Sequence, residues 1–383
     1  MHPRNELLTG IALGAVGVAA ILNWQCIYDK IENVVRRRKP SSGRVKRAAL
    51  KNEYDRDPEM RKKMEAYVLD LQSRIVTALE EIEDEGDEAS AAFDGVERRP
   101  GKKFRRDPWE RPNGRGHGLT CVIQDGSVFE KGGVNVSVIY GDLPKAVLER
   151  MSAYQTNMEL EKVKSMKFCA IGLSMVIHPR NPHAPTFHCN YRYFDTDNGG
   201  MWWFGGGSDL TPSYLYEEDA VHFHTVLKNA CDKFGEDLYA EFKTTCDLYF
   251  RNTHRNNEMR GIGGVFFDDF DRFEASKSFE MAKSLGNSVI ESYCPLVRRR
   301  KDTPFTENQK RWQQLRRGRY VEFNLLHDRG TKFGIAMPDA RTESILMSLP
   351  LTARWEYKHS PEVGTEEAKL MDAVLTPKDW VSL

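Results

Sequence analysis

No Cys-x-x-Cys pair occurs in these 383 residues. The seven cysteines (Cys26, Cys121, Cys169, Cys189, Cys231, Cys246 and Cys294) are scattered and odd in number. This argues against a disulfide framework and a structural zinc site, and most of the thiols are expected to be buried and free. Phosphate-cradling glycine motifs are also missing: there is neither G-x-x-x-x-G-K-[ST] nor a strand-to-helix G-x-G-x-x-G. No internal repeat is present. Nor is there a net charge, since Lys+Arg and Asp+Glu both number 56, so nothing predicts nucleic-acid binding by the folded part.

The charge is nonetheless unevenly spread. Residues 1–47 hold nine Lys/Arg against three Asp/Glu, leaving 47 against 53 and a net of −6 for the remainder. Within the basic segment, Leu7–Trp24 is an apolar run about as long as the minimum for crossing a bilayer. A membrane anchor and a cleaved targeting sequence are the two main readings. A buried core helix is disfavoured, because the basic linker with Pro40-Ser41-Ser42-Gly43 detaches the run from the rest of the chain.

From residue 51 to 383 the pattern is that of one α+β domain. A helix starts at Asp57-Pro58 and carries Met64, Val68, Leu71, Ile75, Leu79 and Ile82 at helical spacing. Residues 88–117 read as a long loop. Strands are expected at 119–124 and 127–130 as a hairpin through Asp125-Gly126, and then at 134–140, 168–177, 186–195, 201–204 and 262–267. Helices are expected at 145–154, 217–234, 236–252, 276–293, 306–317, 341–349 and 366–374. A second hairpin is expected from 320–326 and 332–337. Strands joined by short turns imply a large antiparallel sheet, with helices flanking both faces.

The residues 186–194, TFHCNYRYF, carry the most chemical information. Side chains on a strand alternate between faces. One face then holds Phe187, Cys189, Tyr191 and Tyr193, an ordinary core face. The other holds His188, Asn190 and Arg192, a proton-active ring, an amide and a fixed cation in a row. Such a face needs water or a polar ligand, so a solvent-facing strand and a binding surface are both open readings. Strand 168–177 adds Ala170, Gly172 and Ser174, small enough to leave room for something flat. The glycines after Trp202-Trp203-Phe204 let a backbone approach closely and bring Asp209 to the sheet rim. His178, His183 and His188 recur every five residues, but the intervening prolines do not favour a metal triad. Asp268 and Asp269 suggest an acid/base pair, of which adjacent strand positions allow at most one to face a given site. Arg329, Lys332 and Arg341 add cations suited to carboxylates. Together these features suit a flat, hydrophobic substrate with several carboxylates.

Five runs in order, VIHPRNPHAPT (176–186), HCNYRYF (188–194), WWFGGGSDLTP (202–212), RGIGG (260–264) and QLRRGRYVEFNLL (314–326), closely resemble the oxygen-dependent coproporphyrinogen III oxidase family. The likeness runs from about residue 55 to Trp380. It implies a haem-pathway enzyme that oxidatively decarboxylates two propionates of coproporphyrinogen III to vinyls, giving protoporphyrinogen IX. It also implies dioxygen as co-substrate, no metal or organic cofactor, and a homodimer formed through Val128–Ser137 and Tyr320–Tyr357. By motif, His188 resembles the proton donor and Asp209 the carboxylate that holds pyrrole N–H groups. Ser174, Asn190, Tyr191, Arg192, Asp339, Ala340 and Arg341 resemble substrate contacts. The triplet 339–341 departs from the smaller or neutral residues expected before the arginine, so Asp339 and Ala340 would contribute through their backbone. Arg260 is a further candidate carboxylate anchor. A rival reading is a tethered tetrapyrrole carrier without turnover. The N-terminal 50 residues lie outside the resemblance and fit delivery to the mitochondrial intermembrane space or association with the inner membrane.

Overall fold

The computed structural model describes residues 59–86, 101–142, 167–197, 202–336 and 341–382. The N-terminal run, the expected helix at 145–154, and Asp339 and Ala340 lie outside the described residues. Seven strands form one antiparallel sheet in the order β1 (Arg105–Glu110), β2 (Gly116–Gln124), β3 (Phe129–Asp142), β4 (Lys167–Pro179), β5 (Thr186–Thr196), β6 (Trp202–Thr211) and β9 (Gly264–Phe270). A separate two-residue ladder pairs β7 (Arg251–Asn252) with β8 (Glu258–Met259). The α+β architecture is as expected.

One sheet face is sealed by helices. Helix α1 (Met60–Asp84) packs on β3 and β4 and against the long α4 (Ala275–Arg300), which covers β5 and β6. Helix α2 (Glu217–Asp232) packs on α4, and α3 (Leu238–Tyr249) lies along β9. The apolar face of β5 points into this core: Phe187, Cys189 and Tyr191 are fully buried and Tyr193 nearly so. The six cysteines among the described residues are all buried and free.

Among the described residues, helices cover the opposite face only in part. Helix α5 (Glu307–Leu326) crosses one end of it, followed by α6 (Arg329–Ala336) and the short α7 (Thr342–Leu346). Phe323 of α5 packs with Phe250 and Phe266, and Tyr320 lies edge-on to His178. A buried ion cluster pins α5 to β3: Glu130 accepts from Arg317 Nη1 at 2.6 Å, Lys310 Nζ at 2.7 Å and Thr352 Oγ1 at 2.8 Å. Burial works against the Glu130 charge, but Arg317 and Lys310 outweigh it and hold the carboxyl below its ordinary range. Helix α8 (Glu366–Leu375) lies near the C-terminus.

Four expectations are corrected. The supposed hairpin strands are helical over 320–326 and 332–336, because Trp312, Leu315, Tyr320 and Phe323 are each buried along one helix and a capping box at Thr306 and Gln309 starts α5 well upstream. The supposed loop at 88–117 contains β1, an edge strand whose charged sequence and Pro108 hide its pairing with β2. Segments 127–130 and 134–140 belong mostly to the single strand β3. Helix α4 runs through Pro295 to Arg300. Proline has no N–H for the carbonyl of Glu291, and His222 Nε2 donates to that carbonyl instead at 2.9 Å.

Candidate active site

The half-open sheet face gathers most of the chemistry-bearing residues. Antiparallel register sets His188 of β5 directly opposite Asp209 of β6. His188 Nδ1 lies 2.6 Å from Asp209 Oδ1. Arg260 approaches the same carboxylate from behind, with Nη2 donating to Oδ1 at 2.8 Å and Nε to Oδ2 at 3.1 Å. This approach depends on Gly261, where a Cβ would stand 2.1 Å from the Leu210 carbonyl oxygen. Arg260 Nη1 also donates to Asn324 Oδ1, and its guanidinium lies 4.1 Å from the Phe250 ring centroid.

Asp209 is 2% exposed. Burial alone would raise its pKa, but Arg260 and His188 more than offset that and hold it below the ordinary carboxylate value. An ionised Asp209 only accepts, so His188 Nδ1 carries the proton of their bond. The imidazole therefore keeps Nε2 for chemistry on the half-open side. Both oxygens of Asp209 accept from protein donors.

Along β5, Arg192 Nη1 donates to Asn190 Oδ1 at 2.7 Å and Nη2 donates to Asp268 Oδ1 at 2.6 Å. The guanidinium lies over Gly205, where a Cβ would meet it at 2.8 Å. Burial opposes the Arg192 charge, and Asp268 overcomes this and raises its pKa. Two of the five guanidinium donors are used in these bonds, and the side chain is 31% exposed.

Register extends this surface across the sheet. Asp107, Thr120, Asn135, Ser174, Asn190 and Gly207 are successive cross-strand partners from β1 to β6. Thr120 Oγ1 donates to Asn135 Oδ1 at 2.7 Å and accepts from Arg341 Nη1 at 3.2 Å. Arg341 also pairs with Asp107 and Ser344. The next row holds Gly118, Ser137, Gly172, Arg192 and Gly205. A strip of small and polar side chains is thus bounded by Arg341 at the β1–β2 end and by Arg192 and Arg260 at the β5–β9 end. Three strand spacings, about 14 Å, separate the β2 and β5 positions.

The structure therefore brings together His188, Asp209, Asn190, Arg192, Arg260 and Ser174, with Arg341 at the far end. Tyr191 is set apart. Its ring is on the sealed face, where the hydroxyl donates to the Leu285 carbonyl at 3.1 Å and accepts from Ser208 Oγ at 2.7 Å, so only its backbone borders the strip. The histidines of the five-residue recurrence also part ways. His178 Nε2 donates to the Ser348 carbonyl, and His183 Nδ1 meets the Tyr216 hydroxyl. Among the described residues no three His, Cys, Asp or Glu side chains converge as metal ligands. Sequence reasoning missed Thr120 and Asn135, ordinary strand residues that gain meaning only from register.

A family model described as coproporphyrinogen III oxidase matches residues 63–380. The chain is 52% identical over 325 residues to the oxygen-dependent coproporphyrinogen-III oxidase of Drosophila melanogaster, covering 84% of this chain and 78% of that one. It is 51% identical over 329 residues to the mitochondrial enzyme of Homo sapiens, covering 85% and 68%. It is 50% identical over 318 residues to the chloroplastic coproporphyrinogen-III oxidase 1 of Arabidopsis thaliana, covering 81% and 80%. With a match of this length, the chain belongs to the coproporphyrinogen III oxidase family.

Proposed function

We propose that the half-open sheet face binds coproporphyrinogen III and that the chain is an oxygen-dependent coproporphyrinogen III oxidase of haem biosynthesis. The carrying observation is the chain of bonds from Arg260 through Asp209 to His188, set beside a cation-bounded, glycine-lined strip. A flat, electron-rich macrocycle with carboxylate arms on its edges suits that surface. Arg192 and Arg341 receive carboxylates, each charge-assisted bond contributing roughly 1.5–3 kcal/mol where water is excluded. Asn190, Ser174 and the backbones of Tyr191, Asp339 and Ala340 supply further polar contacts.

Each round turns a propionic acid arm and dioxygen into a vinyl group, carbon dioxide and hydrogen peroxide. The substrate itself supplies the two electrons taken by oxygen. Protein groups are left to hold the arm in reach and to move protons, which favours positioning as a major source of rate. His188 Nε2 exchanges the proton, while Asp209 fixes the tautomer and steadies the imidazolium when it forms. Arg260 keeps Asp209 ionised and oriented. In this arrangement Asp209 acts through His188 rather than by direct contact with pyrrole N–H groups.

Residues 51–383 would form one catalytic domain, working as a homodimer through segments 128–137 and 320–357. Exposed Leu351, Trp355 and Tyr357 support that interface. The animal relative from Homo sapiens is mitochondrial and the Arabidopsis thaliana relative chloroplastic. We place this chain in the mitochondrion, in the intermembrane space or at the inner membrane, with residues 1–50 as the targeting or tethering segment. No helix among the described residues is long and apolar enough to cross a membrane.

The test is an oxygen-electrode assay on purified, chelator-treated protein supplied with coproporphyrinogen III. Uptake of one oxygen molecule for each propionate lost, with a divinyl product and no turnover under argon, is expected. Binding without oxygen uptake, or uptake only after one metal is restored, overturns the proposal.

A further inference from the structure

The ladder between β6 and β9 contains one extra residue. Gly206 faces Phe267 and Phe204 faces Phe270, so Asp268 and Asp269 together stand opposite Gly205. This is a β-bulge, a device that re-aims side chains. Residues three apart on a regular strand point to opposite faces, yet Phe267 and Phe270 both pack on Phe242 in the core, with ring centroids 5.0 and 5.8 Å away. The extra residue makes this compatible. It adopts a left-handed conformation at Asp269, φ +51°, which aspartate tolerates far better than a branched residue. The Asp269 N–H donates to Asp268 Oδ1 at 3.1 Å.

Alternation from Phe266, which faces Gly207, places Asp268 on the half-open face beside Arg192, and the extra residue at Asp269 returns Phe270 to the core. We propose that Asp268 is a positioning residue for oxidative decarboxylation, held beside the bulge by the Asp269 N–H so as to set the plane and aim of the Arg192 guanidinium. Three features form one cradle: Asp268 holds Nη2, Asn190 holds Nη1, and Gly205 leaves the space the group occupies. A second cation, Arg329, has Nη2 3.8 Å from Asp268 Oδ2, so one carboxylate also moderates the repulsion between two guanidiniums. Without Asp268 the site keeps its attraction for a polyacid but loses the fixed direction of one anchor. Chemistry should then suffer more than binding.

This inference rests on the reading of Arg192 as a substrate-carboxylate anchor, and a double-mutant cycle separates the two. Asp268→Asn should lower kcat by about tenfold while KM moves less than about threefold. In an Arg192→Ala background the same change should cost less than about twofold more, because its target is gone. An equal loss in both backgrounds, or a normal kcat for Asp268→Asn, overturns the positioning role. Normal turnover by Arg192→Ala overturns the site reading beneath it. Should Asp268→Asn fail to fold, the bulge decides: Asp269→Gly, which keeps the left-handed conformation accessible, should retain at least about five times the kcat of Asp269→Val. Equal kcat for those two variants overturns the proposal.

Discussion

The two faces of β5 differ in almost every respect although their residues alternate one by one. Phe187, Cys189, Tyr191 and Tyr193 are sealed beneath α1 and α4, whereas the His188 side chain keeps 20% of its surface and Arg192 31%. The buried hydroxyls of the sealed face, those of Tyr191 and Tyr193, have partners within the fold. The half-open face keeps donor capacity in reserve on Arg192. Alternation lets one strand carry stability and chemistry separately. Substitutions one residue apart should therefore fail in different assays.

The largest expected effect is on the sealed face. Phe187→Ala removes a ring stacked 4.7 Å from Tyr293 and should cost about 3–5 kcal/mol in denaturant unfolding. The folded fraction should keep its kcat, and a loss of kcat at unchanged stability would erase the contrast between the faces. A comparable effect comes from two framework histidines. Burial pushes His178 and His224 down to about 3, so both are neutral in the fold. The folded value lies below the unfolded one, so the unfolded chain binds protons first as pH falls. Stability is complete above about pH 6.5 and falls toward about pH 3, by roughly 1.4 kcal/mol per unit for each group. Unfolding curves at pH 7.5 and 5 should differ by about 4 kcal/mol, and identical curves would contradict the buried neutral assignment.

Effects on the other face should appear in kinetics. Asp209→Asn withdraws the charge that orients His188 and should lower kcat by about a hundredfold, with a smaller change in KM. Equal damage to both would argue for direct substrate contact by Asp209. Arg192→Ala should lose more than about tenfold in kcat/KM while its thermal midpoint stays near wild type. Near-normal turnover would take Arg192 out of the site.

Much of this contrast is legible in the sequence. Period-two patterning in 186–194 already separates His188, Asn190 and Arg192 from the aromatic core residues, and the glycines of 205–207 mark a close backbone approach. Cross-strand neighbours are less accessible. Nothing local pairs His188 with Asp209, or Thr120 with Asn135, because both pairings depend on register. Tyr191 shows the converse: it sits between two site residues in the chain and points to the other side of the sheet. The 320–337 segment misleads because Tyr320, Val321 and Phe323 suit a strand, whereas the helix is fixed by burial against Phe250 and by a cap at Thr306, far upstream of Tyr320. β1 is hidden because an edge strand of charged residues leaves no apolar signature.

The half-open face as the seat of oxygen chemistry is tested most directly by His188→Ala. The variant should still bind coproporphyrinogen III, measured by ligand-induced stabilisation under argon, while its oxygen uptake falls by about a hundredfold or more. Oxygen uptake at the wild-type rate, with the divinyl product still formed, would contradict the account.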